Sequence, residues 1–222
     1  MTPERVTFVN PLRSPSTGPG VLDMNMKTIL ENQSRWTWEI MLASAQLGEM
    51  IREDAITSVN LATIHAAAKA NNINLHILSF QGASLERDYG ADWLWNLNQS
   101  AYLIQAKRLD VVPSVGGLSY TIRLAQLDLL VSSSQTLSSS GQIDAKPAFV
   151  FYNSMTAGLP DEMGCLFTNA MVLQQYIYGI KAVPRGQASV TLSLPEIVSQ
   201  TNAQPWYKMF SSLEEQAQTT VP

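Results

Sequence analysis

Asp92 stands in a run otherwise suited to a buried strand, GADWLWNL at Gly90–Leu97. Gln105 and Lys107 take alternate positions in the next such run, AYLIQAKRL at Ala101–Leu109. A carboxylate, an amide oxygen and an ammonium group make a poor core and a plausible site. Hard oxygen donors suit Mg²⁺ (or Mn²⁺), which binds through one or two carboxylates, keeps several waters and leaves positions for a phosphate. Such an ion lowers the pKa of bound water and offsets charge on a transferring phosphoryl group. Lys107 beside it would orient the attacking water or neutralise the developing charge. A second acid comes from upstream, where Glu53 shares a helical stripe with Met50, Ile56, Asn60 and Ile64, and Glu49 lies one turn earlier on the same side. An unpaired buried carboxylate is expensive, so acids on a mostly apolar stripe imply a cation or a basic partner.

These groups meet only if the right elements carry them. Arg35–Ala70 is proline-free and rich in Ala, Leu, Met and Glu, which predicts one long helix or two joined at Gly48. Ile73–Phe80, Gly90–Leu97 and Ala101–Leu109 read as strands, the last two joined as a hairpin through Asn98, Gln99 and Ser100. With Asn98-Gln99 as a two-residue turn, counting back sets Asp92 opposite Gln105, about 5 Å apart at Cβ, and Lys107 as a diagonal neighbour at about 7–8 Å. Trp93 and Trp95 then face the other side and anchor the core. Leu118–Val131 has leucines at helical spacing, Ser132–Gly141 reads as a Ser-rich loop, and Ala148–Tyr152 as a strand buried on both faces. Met163–Gln175 reads as a helix, and Tyr176–Val183 as a further strand or a continuation. The resulting order, α-β-β-β-α-β, is an α/β fold with a mixed central sheet flanked by helices. Residues 1–34, punctuated by prolines, read as an irregular arm. Residues 35–183 form the folded domain, and 184–222 a C-terminal extension packing on it.

Composition narrows the class. Of 222 residues, 45% are apolar, enough for a full core, so wholesale disorder is excluded. Fourteen Lys and Arg against 18 Asp and Glu give a net charge of −4, so no global cationic field exists to hold a polyanion or a membrane. A single cysteine, Cys165, rules out an internal disulfide and a cysteine-based zinc site. No apolar run is long enough to span a bilayer, and the expected setting is cytoplasmic. Leu129–Ile180 holds only Asp144, Lys146, Asp161 and Glu162 as charged residues, which points to self-association as a homodimer or higher oligomer.

Asp92, the triplet Gln105-Ala106-Lys107 and the preceding glutamate helix resemble the PD-(D/E)XK nuclease superfamily. More narrowly they are similar to its QxK variant in Mrr-type restriction endonucleases. The resemblance covers roughly Gly48–Asn153, and the element order matches the restriction-endonuclease-like core. It implies a Mg²⁺-dependent endonuclease acting on DNA phosphodiester bonds, in restriction or phage defence. Asp92 would be the principal metal ligand, with Gln105 and the Ala106 carbonyl beside it. Lys107 would be the catalytic lysine, and Glu53, or else Glu49, the helix glutamate. Gln126 matches a polar position that approaches the phosphate in such folds. The chain departs from the pattern twice: Ala91 replaces the proline before the aspartate, and an amide replaces the third-strand acid, which leaves less negative charge to hold the ion.

Plainer roles compete for each residue. Asp92 could cap a turn or pair with Arg87 or Arg108, Glu53 could pair with Arg52 or Lys107, and Gln126 could be a solvated helix residue. His65 and His76 are too few for a zinc centre, and Cys165 suits a buried small hydrophobe. The alternative for the whole chain is a catalytically inactive module of the same fold, serving assembly or regulation.

Overall fold

The computed structural model describes residues 25–80, 84–97, 100–112, 117–141, 143–154 and 158–210. Two helices come first, α1 (Met26–Gln46) and α2 (Glu53–Ala70), and the chain breaks between them where Gly48 takes φ +74°. Helix α1 starts nine residues before the expected boundary at Arg35. Asn25 caps it, its side chain accepting from the Thr28 N–H at 2.9 Å. Residues 26–34 of the expected irregular arm are therefore helix, and residues 1–24 lie outside the described residues.

Strands β1 (Leu75–Ser79), β2 (Trp93–Leu97) and β3 (Ser100–Arg108) form an antiparallel meander. Between β1 and β2 runs a short helix that the sequence does not signal, α3 (Ser84–Tyr89). After β3 the chain makes a hairpin, β4 (Asp110–Val112) and β5 (Gly117–Arg123), before helix α4 (Leu124–Ser139). Two expectations are corrected here. Leu118–Arg123 is strand, because Tyr120 and Ile122 are buried while Thr121 and Arg123 are exposed, a period of two that the downstream leucines mask. The Ser-rich stretch from Ser132 is helix. Its hydroxyls bond back to the preceding turn, Ser132 to the Leu129 carbonyl and Thr136 to that of Ser132, while Leu130 and Val131 pack inward.

Strand β6 (Ala145–Tyr152) runs parallel to β3, Gln105 opposite Phe149 and Lys107 opposite Phe151. The segment expected as one helix at Met163–Gln175 divides into three. A short α5 (Pro160–Met163) leads into β7 (Cys165–Asn169), antiparallel to β6, and then α6 (Ala170–Gln175). The continuation, not a strand, follows as a π-helical turn at Tyr176–Ile180. Next come β8 (Ser189–Ser193), α7 (Leu194–Thr201), β9 (Gln204–Pro205) and a 3₁₀ turn at Trp206–Phe210.

The result is a mixed α/β fold. A six-stranded sheet in the order β1-β2-β3-β6-β7-β9 is flanked by helices, α2 against β1 and β3 and α4 against β3 and β6, and a small separate sheet β4-β5-β8 packs on it through Tyr120 against Phe151. Residues 184–210 are built into this body: β8 pairs with β5, and Trp206 is fully buried, its indole N–H donating to the Leu30 carbonyl at 2.7 Å. Trp95, Trp206, Phe210 and Tyr102 pack with tilted and edge-to-face rings in one aromatic cluster, as expected for the sheet face away from Asp92. A buried polar knot fixes α2. Asn60 accepts from Gln33 at 2.8 Å and bonds Thr37, and the Thr57 hydroxyl meets that of Tyr152 at 3.0 Å. Such fully paired polar contacts set helix register, here the register that aims Glu53.

Candidate active site

The register of β2 on β3 pairs Leu97 with Ser100 and Trp93 with Ile104, which sets Asp92 opposite Gln105. Residues 98 and 99, the expected turn, lie outside the described residues, and the strand pairing beside them is the expected one. Asp92 is just outside β2, yet its backbone bridges the sheet: its N–H donates to Ile104 at 2.8 Å, and its carbonyl accepts from Phe80 at 2.7 Å. The side chain is equally held. One carboxylate oxygen, Oδ2, accepts from Gln105 Nε2 and from the Ala106 N–H, both at 2.7 Å. Gln105 Nε2 also donates to the Ala106 carbonyl at 3.0 Å.

Lys107, near the end of β3, and Glu53, at the start of α2, complete the group. Lys107 Nζ pairs with Glu53 Oε1 at 3.2 Å, and Glu53 Oε2 accepts the Arg108 N–H at 2.8 Å. Lys107 is 13% exposed and Glu53 34%, so the pair sits at the mouth of the site. Glu53 is the first residue of α2, and Ile56, Asn60 and Ile64 behind it are buried, as the stripe implies, but Met50, expected on the same stripe, is exposed in the linker before the helix. Of the two pairings that compete with a ligand role, the one with Lys107 is present. Arg52 pairs with Asp54 instead. Asp92 has no ion-pair partner among the described residues; Arg108 is taken by Asp110 and the Ile51 carbonyl.

Glu49 does not join them. It is exposed in the α1–α2 linker, because the chain leaves the helix at Gly48 and no helical turn stacks Glu49 on Glu53. Gln126 lies in α4 on a neighbouring cleft and does not line this one. Three acids that the sequence does not single out do: Asp54 beside Glu53 in α2, Glu86 from α3 and Asp110, the first residue of β4. A helix between Phe80 and Gly90 was the signal needed for Glu86, and the loop-like composition there hides it.

Electrostatics distinguish Asp92. Burial pushes its carboxyl up to about 7; the Ala106 N–H and the Lys107 charge pull against this, and Glu53 and Glu86 add to the rise. Its cleft encloses about 930 Å³ and is lined by five acids, Glu53, Asp54, Glu86, Asp92 and Asp110, with Arg52 and Arg108. Gln105 Oε1 is buried with no hydrogen-bond partner, an unusual state for an amide oxygen. Among the described residues no three His, Cys, Asp or Glu side chains gather as a metal cluster. The oxygen donors on offer are mixed: the Asp92 and Glu53 carboxylates, the Gln105 amide and the Ala106 carbonyl.

Residues 26–221 match the model of a family of unknown function, DUF6615. The chain belongs to that family. No curated protein matches it. The DUF6615 match runs from the first residue of α1 past the buried Trp206, so every residue of the candidate site lies within it. No described helix is long and apolar enough to cross a membrane.

Proposed function

We propose that this protein is a metal-dependent nuclease hydrolysing DNA phosphodiester bonds. The observation that carries the proposal is the convergence of Asp92, Gln105 and the Ala106 carbonyl within hydrogen-bond distance, with the Lys107–Glu53 pair beside them. The likeness to the QxK branch of the PD-(D/E)XK nucleases supplies the activity and the preference for DNA.

The donor set fits Mg²⁺ or Mn²⁺. All four groups offer hard oxygen, and the unpartnered Gln105 Oε1 is an acceptor with nothing to accept. Asp92, Gln105, Ala106 and Glu53 would hold the ion, which supplies an activated water and offsets charge on the phosphoryl oxygens. Lys107, two-residue neighbour of Gln105 on the same face, holds a positive charge where negative charge develops on the phosphate. Glu53 orients that ammonium, and the Arg108 N–H in turn fixes the Glu53 carboxylate. Asp92 binds a cation only when ionised, and burial keeps a share of it protonated near neutrality.

A homodimer, a restriction or phage-defence role and a cytoplasmic setting belong to the same proposal. The charge-poor stretch Leu129–Ile180 and the fully buried, unpaired Cys165 support the first and the last. A second reading, an inactive module of this fold, is favoured by one observation: Glu53 is already satisfied by Lys107 and Arg108. Plasmid nicking separates the two. Supercoiled DNA should be cut in Mg²⁺ or Mn²⁺, left intact in EDTA, and cut at least about a hundredfold more slowly by Lys107→Ala. No cutting by the parent chain, together with no calorimetric Mn²⁺ binding, would establish the inactive module.

A further inference from the structure

A second cleft, of about 700 Å³, opens beside the Asp92 cleft, and Glu86 lines both. Their charges differ. Glu86 is the single acid among the residues lining the second cleft, against two arginines, Arg87 from α3 and Arg123 at the end of β5. Both side chains are exposed, and neither has an ion-pair partner among the described residues. That is unlike the cations of the neighbouring site, where Arg52, Lys107 and Arg108 are each paired to an acid. Two unneutralised guanidinium groups on one concave wall attract an anion, and their planar donor forks suit phosphate. Helix α4 adds to this field. It starts at Leu124 with Arg123 at its N-cap, no side chain caps it, its first turn holds no acid, and Ala125 and Gln126 from that turn line the cleft.

We propose that the Arg87–Arg123 cleft binds the phosphate backbone of the nucleic acid strand whose scissile bond lies in the Asp92 cleft, an inference that rests on the nuclease reading of that site. It accounts for how a chain of net charge −4, with an acid-lined site, holds a polyanion. The acidic cleft takes the cation and the basic one takes the strand. Backbone contacts from Arg and Lys supply affinity and position without reading sequence.

Fluorescence anisotropy of a labelled single-stranded DNA oligonucleotide, titrated with the full chain in EDTA over a series of salt concentrations, tests this. Arg87→Ala/Arg123→Ala should weaken binding about tenfold at low salt. It should also flatten the slope of log affinity against log salt by about 1.4, two contacts at about 0.7 each. Arg87→Lys/Arg123→Lys should keep the slope. Lys69→Ala, which removes an exposed charge lining neither cleft, should bind like the parent. Thermal melting by circular dichroism confirms that each variant folds. An unchanged affinity and slope in the double alanine variant overturns the proposal, as does a parent chain that binds no oligonucleotide at the lowest salt. Plasmid cutting is read separately on the same preparations. Lys107-dependent cutting with arginine-independent binding removes the cleft and leaves the nuclease. Arginine-dependent binding without cutting supports the cleft as a strand-binding face and removes the nuclease.

Discussion

At the scale of single residues, Asp92 holds its position against its own charge. In the folded chain burial lifts its carboxyl to about 7, while in the unfolded chain it titrates as an ordinary carboxylate near 4. Below pH 4 both forms are protonated and the contribution of Asp92 to stability is complete. Between about 4 and 7 the unfolded chain releases the proton that the folded chain keeps, so stability falls as pH rises, by a total on the order of 4 kcal/mol, and then levels off. Asp92→Asn removes the ionisation. Denaturant unfolding at pH 4 and pH 8 should show the stability gap between variant and parent moving in favour of the variant at the higher pH, even as cutting is lost. A gap that stays constant would mean that the carboxylate is solvated. The residues of this triplet were legible because period-two alternation and a two-residue turn are local rules, and the observed pairing obeys both. Glu86 and Asp110 were not legible, since their place at the cleft depends on a helix and a hairpin that only the surrounding packing stabilises.

At the scale of elements, one close approach sets where Asp92 begins. Gly90 takes φ +68°, and a Cβ there would meet the Gln126 carbonyl at 2.7 Å and the Leu130 nitrogen at 2.9 Å. The end of α3 thus presses directly on the backbone of α4, and the chain turns from that contact into Ala91 and Asp92. Gly90→Ala adds both a strained conformation and a backbone clash, so a loss of about 2–4 kcal/mol is expected in thermal or denaturant unfolding. Cutting should fall further than stability explains, because moving Gly90 moves Asp92. The same α4 shows how element prediction fails. Leucine spacing carries a helix signal backwards over Tyr120 and Ile122, although their alternation with Thr121 and Arg123 is that of a strand. What decides between the two periods is β8, arriving from about seventy residues downstream to pair with β5.

At the scale of the whole molecule, the C-terminal part completes the core. Trp206 is fully buried, bonds the Leu30 carbonyl of α1 and packs on Trp95 in β2, so it ties the segment after α7 to the first helix and to the central sheet. Trp206→Ala should cost about 3–5 kcal/mol, read as a drop in the denaturant midpoint, with the loss of intrinsic fluorescence from this ring accounted for separately. An unchanged midpoint would show that residues after Val183 pack as an appendage.

The α/β class and the pairing that sets Asp92 across from Gln105 were already written in the amino-acid sequence, which left open whether Arg35–Ala70 is one helix or two. Both follow from interactions among near neighbours, whose periodicity is written in the chain. Packing between distant elements is what brings Glu53 to Lys107, leaves Glu49 away from the site and closes Trp206 on Leu30. Those contacts join residues far apart in the chain, and they exist only because burial of apolar surface brings their elements together.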